Sequence, residues 1–560
     1  MRGLIITTAL CATSIVAGQI GAQSSPAGDV PASAVLREAA RTGTLAGLKW
    51  PRFPFYRDEL TGLYTASGWQ PVWTANGRPI SAARSAIDVL RSADERGLHP
   101  DDYSAAKLDE EFRKLSSGTG SPQDVGWFDV ALSIGVLRHI SDVRIGRVNP
   151  RNLSVGINIE PKKLDLAREL SAAIPRNRVP DLVRSAEPQF VQYKNLKAAY
   201  ARYRKLAADT TLSAVSLART VKINEAIDPA AAAKLRRRLV AFGDLPAAAA
   251  GAAAPGTYDR VTADAVSRFQ ERHGLTGDGV LGAGTLAAIN VSPAKRARQL
   301  ELAMERIRWL PEISGPFVVA NVPSFQLYAF DSARGTGAPT VQMNIVVGKA
   351  NVGRQTPLFE RDMEYVIFRP YWVIPPGILR NETMPAVRRG GSAYLARNNM
   401  ELYSGDGNAA SAAVPTTSAN LGRVGGGVGI RQLPGPRNAL GLAKFIFPND
   451  HNVYFHGTPA QELFSRSRRD FCHGCVRLED PAAFATWVLR DPRNWSRAQV
   501  EQAMNGTPSR KVNLPRRLPV LIYYTTAVVR PEGTVQFFND VYGHDARLEQ
   551  TLAKGYPFAK

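Results

Sequence analysis

The sequence predicts a multi-domain α+β protein: a mainly helical N-terminal part, a three-helix module, and a mostly-β, sandwich-like C-terminal domain with a lid insertion. The length of 560 residues exceeds the roughly 250–300 residues that one hydrophobic core supports, so several domains are expected. Apolar residues recur at helical spacing up to about residue 293, whereas short β-rich runs bounded by Gly and Pro begin at Gly315.

The composition is that of a globular protein with a basic surface. Hydrophobic residues make up 44% of the chain, and 70 Lys and Arg against 49 Asp and Glu give a net charge of +21. Such a charge favours a polyanionic partner in general. The basic residues are spread over the chain, and no zinc-finger spacing, aromatic RNA-binding signature or basic heptad pattern is present. We therefore expect solvated basic faces and no nucleic-acid partner.

The N-terminus has the pattern of a secretory signal. Arg2 precedes an apolar stretch over 4–17, and small residues follow through Gly21 and Ala22, which predicts a signal peptide over 1–22. The stretch is too short and too interrupted to span a bilayer as an anchor. A lipoprotein signal would need a small residue before Cys11, where Leu10 stands. A Pro-, Ala- and Ser-rich tether is predicted over 23–33. The mature chain is therefore expected to be exported to the periplasm, with no stable membrane insertion.

A helical scaffold domain is predicted over 34–221. The segment from Ser81 to Leu90 has a polar start and apolar residues at helical spacing, and the pattern stops at Gly97. Aromatic residues cluster earlier in this part of the chain, at Tyr64, Trp69 and Trp73, and such a cluster is usually core.

A compact three-helix unit is predicted over 222–293. Helical patterns over 231–242 and 261–273 are joined by an Ala- and Gly-rich loop, and a glycine turn over 277–282 leads to a short third helix. The run from Tyr258-Asp259 through Phe269-Gln270 to Asp278-Gly279 resembles the peptidoglycan-binding three-helix module. The resemblance implies binding to cell-wall glycan, and a purely structural spacer is the alternative.

A connecting helix over 294–314 leads into a β domain over 315–548. Strands are predicted at 317–322, 326–330, 341–347, 364–368 and 520–524, which suggests a sandwich or barrel. Between about 379 and 440 lies a stretch rich in Gly, Ala and Ser. A stretch of that length within a β domain is uncommon unless it is functional, so a lid over a cleft is expected.

Two cysteines of the predicted mature chain stand three positions apart, beside histidines. Cys472 and Cys475 flank His473-Gly474, and His456 lies 19 positions before Cys475. A thiolate nucleophile needs a nearby base or positive charge, and its acyl-transfer intermediate needs oriented backbone N–H groups. A tight His-Gly-Cys turn offers both an exposed sulfur and those N–H groups.

Four other interpretations of the cysteines compete with this one: a zinc site, a redox pair, two structural thiols and haem attachment. A zinc site would lack a second cysteine pair, and His473 between the cysteines would point away from a shared metal. A redox Cys-x-x-Cys normally begins a helix in a βαβ pattern, which this region lacks. Two buried structural thiols would leave the neighbouring His-Gly phrases unexplained. Haem attachment would need His directly after Cys475, where Val476 stands, and no metal or cofactor is predicted.

The phrases His456-Gly457-Thr458 and His473-Gly474-Cys475-Val476-Arg477 resemble the catalytic domain of L,D-transpeptidases. The resemblance extends over most of the chain, to the large subfamily with an N-terminal scaffold, a wall-binding module and a lid. Three further phrases support it, at 354–357, 370–376 and 431–441.

The resemblance implies a role for each matching residue. Cys475 is the nucleophile and His456 is the base that deprotonates it, with the backbone carbonyl of Gly457 holding the other ring nitrogen of His456. The backbone N–H groups of His473, Gly474 and Cys475 form the oxyanion hole.

Three more residues are implied to bind substrate, each with a structural alternative. Arg477 contacts the substrate or holds the loop, and Tyr371 and Trp372 line the donor cleft or belong to the domain core.

The chain departs from the family pattern at Cys472, where Ser or Thr is usual before His-Gly-Cys. The thiol is similar in shape to a hydroxyl, so we expect the fold to tolerate it. Two thiols three positions apart in an exported protein suggest a reversible Cys472–Cys475 disulfide that silences the enzyme under oxidation.

The implied reaction forms 3→3 cross-links. The nucleophile takes the third stem residue of a tetrapeptide donor with loss of D-alanine, and a neighbouring stem amine attacks the thioester. Acylation by carbapenem-type β-lactams is also implied. The alternatives are an L,D-carboxypeptidase, a transferase for proteins or D-amino acids, and a non-catalytic wall-binding scaffold. The expected partners are peptidoglycan stem peptides and glycan, together with wall-synthesis proteins.

Overall fold

The computed structural model describes residues 31–153, 162, 165–249, 256–351, 353–491, 493–506 and 508–555. The predicted signal peptide and most of the predicted tether lie outside these residues. Within the described residues, no helix combines the length and apolar character needed to cross a bilayer. The α+β organisation predicted from the sequence is confirmed, while the domain boundaries stay a prediction.

The N-terminal part is built around one long buried helix. Its helices are α1 (Ala32–Thr42), α2 (Arg57–Ala66), α3 (Ser81–Arg91), α4 (Ala105–Ser116), α5 (Pro122–Ile145), α6 (Leu166–Ala173), α7 (Val179–Ala186) and α8 (Val191–Ala207), with a small hairpin of β1 (Thr74–Ala75) and β2 (Arg78–Pro79). Helix α5 is buried along nearly its whole length, and its buried polar side chains Asp129 and Ser133 form hydrogen bonds with the Tyr64 hydroxyl. Its first turn is fixed by a capping box between Ser121 and Asp124.

The second unit has the three predicted helices, followed by the connecting helix. These are α9 (Pro229–Phe242), α10 (Arg260–Arg272), α11 (Ala283–Asn290) and α12 (Pro293–Trp309). Asp228 and Asp259 cap α9 and α10 by accepting hydrogen bonds from backbone N–H groups. Helix α12 packs against α8, and its fully buried Arg308 reaches the Glu305 carboxylate and the Tyr193 hydroxyl. The connecting helix therefore ties the scaffold to the rest of the chain.

The C-terminal domain contains one large sheet that closes on itself. Its nine strands within the described residues are β3 (Phe317–Asn321), β4 (Gln326–Phe330), β5 (Val341–Gly348), β6 (Phe359–Phe368), β11 (Ala443–Ile446), β12 (Phe455–His456), β13 (Asp470–Cys472), β14 (Val476–Leu478) and β15 (Arg510–Tyr523). They pair in the order β13-β5-β14-β12-β11-β6-β15-β3-β4, and β4 also pairs with β5. Because the sheet closes, the side chains on its inner face pack together as the core of the domain.

The insertion forms a small subdomain of its own. A four-stranded sheet contains β7 (Trp372–Val373), β8 (Met400–Tyr403), β9 (Ala413–Val414) and β10 (Gly429–Gln432), with helices α13 (Pro376–Ile378), α14 (Met384–Arg397) and α15 (Ser418–Gly422). Its apolar side chains make a separate core cluster around Leu402 and Ile430. The remaining elements are α16 (Pro481–Leu489), α17 (Arg497–Asn505), α18 (His544–Ala553) and a hairpin of β16 (Ala527–Val529) and β17 (Val535–Phe537).

Burial of His544 predicts a loss of stability in acid. Desolvation, with help from Arg306, lowers the pKa of His544 to about 4, so its imidazole is neutral in the fold. The unfolded chain, with an ordinary pKa of about 6.5, binds the proton first, and stability is lost as the pH falls through that value. Between about pH 7.5 and about pH 5 this amounts to about 2 kcal/mol. Urea unfolding at both pH values should show that His544→Gln loses less free energy of unfolding in acid than the unchanged chain.

The exposed histidine His99 provides the control for this measurement. His99→Gln should lose as much free energy of unfolding as the unchanged chain over the same pH interval. Equal acid losses in the unchanged chain and in His544→Gln would contradict a neutral, buried His544.

Candidate active site

Three neighbouring strands place one polar residue each in a single row. Across β11, β12 and β14, Lys444 pairs with His456, and His456 pairs with Arg477. Directly paired residues share one face of a sheet, and neighbours along a strand point to the opposite face. The adjacent residues are fully buried in the core: Phe445, Phe455 and Val476. Lys444, His456 and Arg477 therefore stand together on the outer face, and Cys475 lies directly before β14.

These residues line one cleft of about 790 Å³ between the closed sheet and the insertion. Cys475, His456, Arg477, Cys472 and the side chain of His473 all border it. The insertion contributes Trp372 and the segment around Glu382, while the sheet contributes Lys444 and Tyr454. Residues far apart in sequence thus meet at one site.

His456 is held as a neutral imidazole with one ring nitrogen available. Its Nδ1 lies 2.6 Å from the backbone oxygen of Gly457. Because a carbonyl oxygen only accepts, Nδ1 carries the proton and Nε2 is left with its lone pair. Burial, with help from the nearby Arg477 charge, lowers the pKa of His456 to about 3. The ring can accept a proton at neutral pH, which is what a general base requires.

The turn before β11 holds the Gly457 carbonyl in place by close backbone contact. Gly441 has φ of +64°, and a side chain there would come within 2.5 Å of the backbone nitrogen of Thr458. Only glycine allows the two loops to approach this closely.

The Cys475 thiol is half-buried and hydrogen-bonds to backbone. Its Sγ lies 3.7 Å from the carbonyl oxygen of Asn452. Burial raises the pKa of Cys475, while the backbone and hydroxyl of Tyr454 and the charges of Lys444 and Arg477 oppose this rise. Among the hydrogen bonds of the described residues none joins Cys475 to His456, so a rotation of the thiol is needed before proton transfer.

The turn from β13 to β14 leaves its backbone N–H groups without partners. Gly474 has φ of +117°, a conformation that favours glycine. In the described part of the chain, the backbone N–H groups of His473, Gly474 and Cys475 enter no hydrogen bond. They are available to an anionic oxygen placed beside Cys475.

The insertion contacts this turn directly. The Nε2–H of His473 donates a hydrogen bond of 3.0 Å to the carboxylate of Glu382, in a single π-helical turn between α13 and α14. The insertion is thereby tied to the residue next to the nucleophile.

The other residues predicted from the sequence lie in different surroundings. Trp372 lines the cleft, but Tyr371 is not among its lining residues, because its ring stacks on the guanidinium of Arg431 at 4.2 Å. Arg477 lines the cleft, and its Nε is buried without a hydrogen-bond partner among the described residues. Cys472 packs against Val346, and burial raises the pKa of its thiol to about 11.

Both thiols are free, and the disulfide hypothesis for Cys472 and Cys475 stays a prediction. Within the described ranges, no group of three or more His, Cys, Asp or Glu residues is placed to hold a metal ion.

Sequence reasoning missed several residues of the cleft, among them Lys444, Asn452, Tyr454 and Glu382. Tyr454 and Asn452 adjoin the His456 phrase, and the alternation of polar and apolar residues there could have indicated Tyr454. Lys444 and Glu382 reach the site through strand pairing and through the insertion, which leave no local signal.

Comparisons with known proteins match three parts of the chain. Residues 58–199 match the family model "Scaffold domain", residues 229–289 match "Putative peptidoglycan binding domain", and residues 315–522 match "L,D-transpeptidase catalytic domain".

One curated relative and one solved structure are similar to the chain. A Haemophilus influenzae protein named "Putative L,D-transpeptidase" is 25% identical over 252 residues, which are 45% of this chain and 49% of that protein. The chain thus spans about half the length of the relative it matches. The crystal structure of an L,D-transpeptidase (residues 123–326) from Xylanimonas cellulosilytica is 16% identical and covers 55% of this chain and 100% of its own, but its TM-score of 0.16 supports no conclusion.

Proposed function

Because the chain contains an L,D-transpeptidase catalytic domain, we propose that it is an exported enzyme that forms 3→3 cross-links between peptidoglycan stem peptides through a thioester on Cys475. One observation carries the proposal. Cys475 and a neutral His456 with a free Nε2 border the same cleft, and the adjoining turn has three backbone N–H groups without a partner among the described residues. Nucleophile, base and oxyanion donors are the groups that acyl transfer requires.

Acylation begins from a neutral thiol and a neutral imidazole. The Cys475 side chain turns from the Asn452 carbonyl toward His456, whose Nε2 takes the thiol proton as Sγ attacks the carbonyl carbon of the third stem residue. The N–H groups of His473, Gly474 and Cys475 stabilise the negative oxygen that forms. The C–N bond to D-alanine then breaks, and the imidazolium returns its proton to the leaving amine.

Deacylation reverses these proton transfers with a new amine. The side-chain amine of a neighbouring stem attacks the thioester carbonyl and loses a proton to His456, and Cys475 leaves as the thiol. The insertion that contacts His473 through Glu382 would cover the thioester and limit the access of water. This favours cross-linking over hydrolysis.

The two flanking units fit the same substrate. The unit over 229–289, which matches a peptidoglycan-binding model, would hold the enzyme on glycan while the cleft works on stem peptides. The net charge of +21 would add a general attraction to a wall that carries carboxylates.

Product analysis tests the proposal. Reduced mature chain incubated with disaccharide-tetrapeptide should yield a dimer whose mass is that of two substrates less one D-alanine, together with a transient thioester adduct on the enzyme. D-alanine released without dimer would replace the proposal by a carboxypeptidase or by a transferase with another acceptor. No reaction by the folded chain would favour a wall-binding scaffold.

A further inference from the structure

Lys444 stands in the cleft without an acidic partner. Its Nζ lies 3.9 Å from the centre of the Tyr454 ring. No carboxylate of the described residues comes within ion-pair distance of this ammonium group. The contact with the ring orients the charge but does not neutralise it.

The cleft as a whole is positively charged. Arg354, Lys444 and Arg477 line it, and the one carboxylate among its described lining residues is Glu382, which is bonded to His473. His456 is neutral. A partly buried positive charge that lacks a counter-charge is unfavourable until an anion arrives. The cleft is therefore suited to an anionic substrate.

The strand order indicates where the anion of a donor peptide would lie. Arg477 belongs to β14, which begins directly after Cys475, while His456 belongs to the middle strand β12 and Lys444 to β11 on the far side. In the proposed reaction, His456 protonates the leaving nitrogen, so the leaving residue lies over β12. Whatever follows that nitrogen extends toward β11, about 4.8 Å farther on.

We propose that Lys444 binds the C-terminal carboxylate of the donor peptide and so selects peptides that end one residue after the cleaved bond. The inference rests on the proposed function. In a tetrapeptide donor, the terminal carboxylate carbon is three bonds from the attacked carbonyl carbon, at most about 4 Å away. An extra residue would move the carboxylate on by about 3.5 Å and leave the ammonium group facing a neutral amide.

Binding to the Cys475→Ala chain tests the subsite without turnover. The probes are disaccharide-tetrapeptide with a free C-terminal carboxylate and the same compound with a C-terminal carboxamide, titrated by calorimetry. The acid should bind about 10- to 100-fold more tightly than the amide, as for a charge-assisted hydrogen bond. When Lys444→Met is added, the affinity for the acid should fall to that for the amide, while the affinity for the amide is unchanged.

Two further variants separate a specific contact from a general effect. Lys444→Arg, which keeps the charge, should retain part of the preference for the acid. Lys511 is a matched control, because its Nζ also lies 3.9 Å from a ring centre, that of Tyr365, on the same sheet but outside the cleft. Lys511→Met should leave the preference for the acid intact.

Three results would overturn the subsite. The first is equal affinity for the acid and the amide. The second is an equal loss of affinity for both probes in Lys444→Met, and the third is that Lys511→Met loses the preference for the acid as Lys444→Met does. In the chain with Cys475 intact, Lys444→Met should lower kcat/KM for the tetrapeptide about 10- to 100-fold more than kcat/KM for the amide, because loss of the charge beside Cys475 affects both donors alike. Carboxylate-dependent binding without any turnover would contradict the proposed function while supporting the subsite.

Discussion

Cys475→Ala should abolish acyl transfer, with a loss of about 10⁴-fold or more, because no other group of the cleft can form the covalent intermediate. Cys472 is buried against Val346, and burial raises the pKa of its thiol to about 11, so it cannot take over as nucleophile. Two measurements apply: the release of D-alanine from tetrapeptide, and the mass of the protein after incubation with a carbapenem. Both the release and the covalent adduct should disappear in the variant.

Cys472→Ser is the matched control, because it removes the other thiol of the same turn and restores a hydroxyl of similar shape. Under reducing conditions it should keep activity close to that of the unchanged chain. Substantial adduct formation in Cys475→Ala would contradict the assignment of the nucleophile. Equal losses in the two variants would show that the turn, rather than one sulfur, had been damaged.

His456→Gln should slow acylation by about 10³- to 10⁴-fold. The glutamine amide can still donate to the Gly457 carbonyl, which keeps the loop in place, but it cannot accept a proton from Cys475. Since the pKa of His456 is about 3, the imidazole stays unprotonated as the pH falls from about 8 to about 5. The acylation rate of the unchanged chain should therefore show no step near pH 6.5 from this residue, and should be lost only in stronger acid.

The measurement is the rate of carbapenem adduct formation against pH for the unchanged chain, His456→Gln and His451→Gln. His451 lines the same cleft and packs against Phe359 with its ring tilted, so its replacement controls for the loss of an imidazole near the site. A step near pH 6.5 that vanishes in His456→Gln alone would contradict a neutral, buried base. Full activity of His456→Gln would remove the residue from the mechanism.

The local pattern of the sequence predicted several secondary-structure elements closely. The strand predicted over 326–330 is β4 (Gln326–Phe330), and the helical pattern from Ser81 is α3. Strand β15 is longer than predicted, since Arg510–Tyr523 includes Pro515 and neighbouring arginines that are typical of loops. It pairs with β6 on both sides of a register shift between Asn513 and Leu518, where proline is tolerated in a sheet.

The sequence predicts a lid over a cleft but not its internal structure. The insertion contains strands of two to four residues and a core cluster around Leu402 and Ile430. Strands this short carry too little periodicity to be recognised in a sequence. Their pairing depends on contacts between β7, β8 and β10, which lie far apart along the chain.

By itself, the sequence determined the order of the three units and the two phrases that contain His456 and Cys475, because periodicity and glycine turns are local properties. Only the tertiary structure decided which other residues lie beside His456 and Cys475 in the cleft. Lys444 reaches the cleft because β11 pairs with β12 in one register, and a shift of one residue would bury the lysine and expose Phe445. Glu382 reaches His473 because the insertion folds over the turn. Strand register and the docking of the insertion depend on long-range packing, and these two properties complete the site.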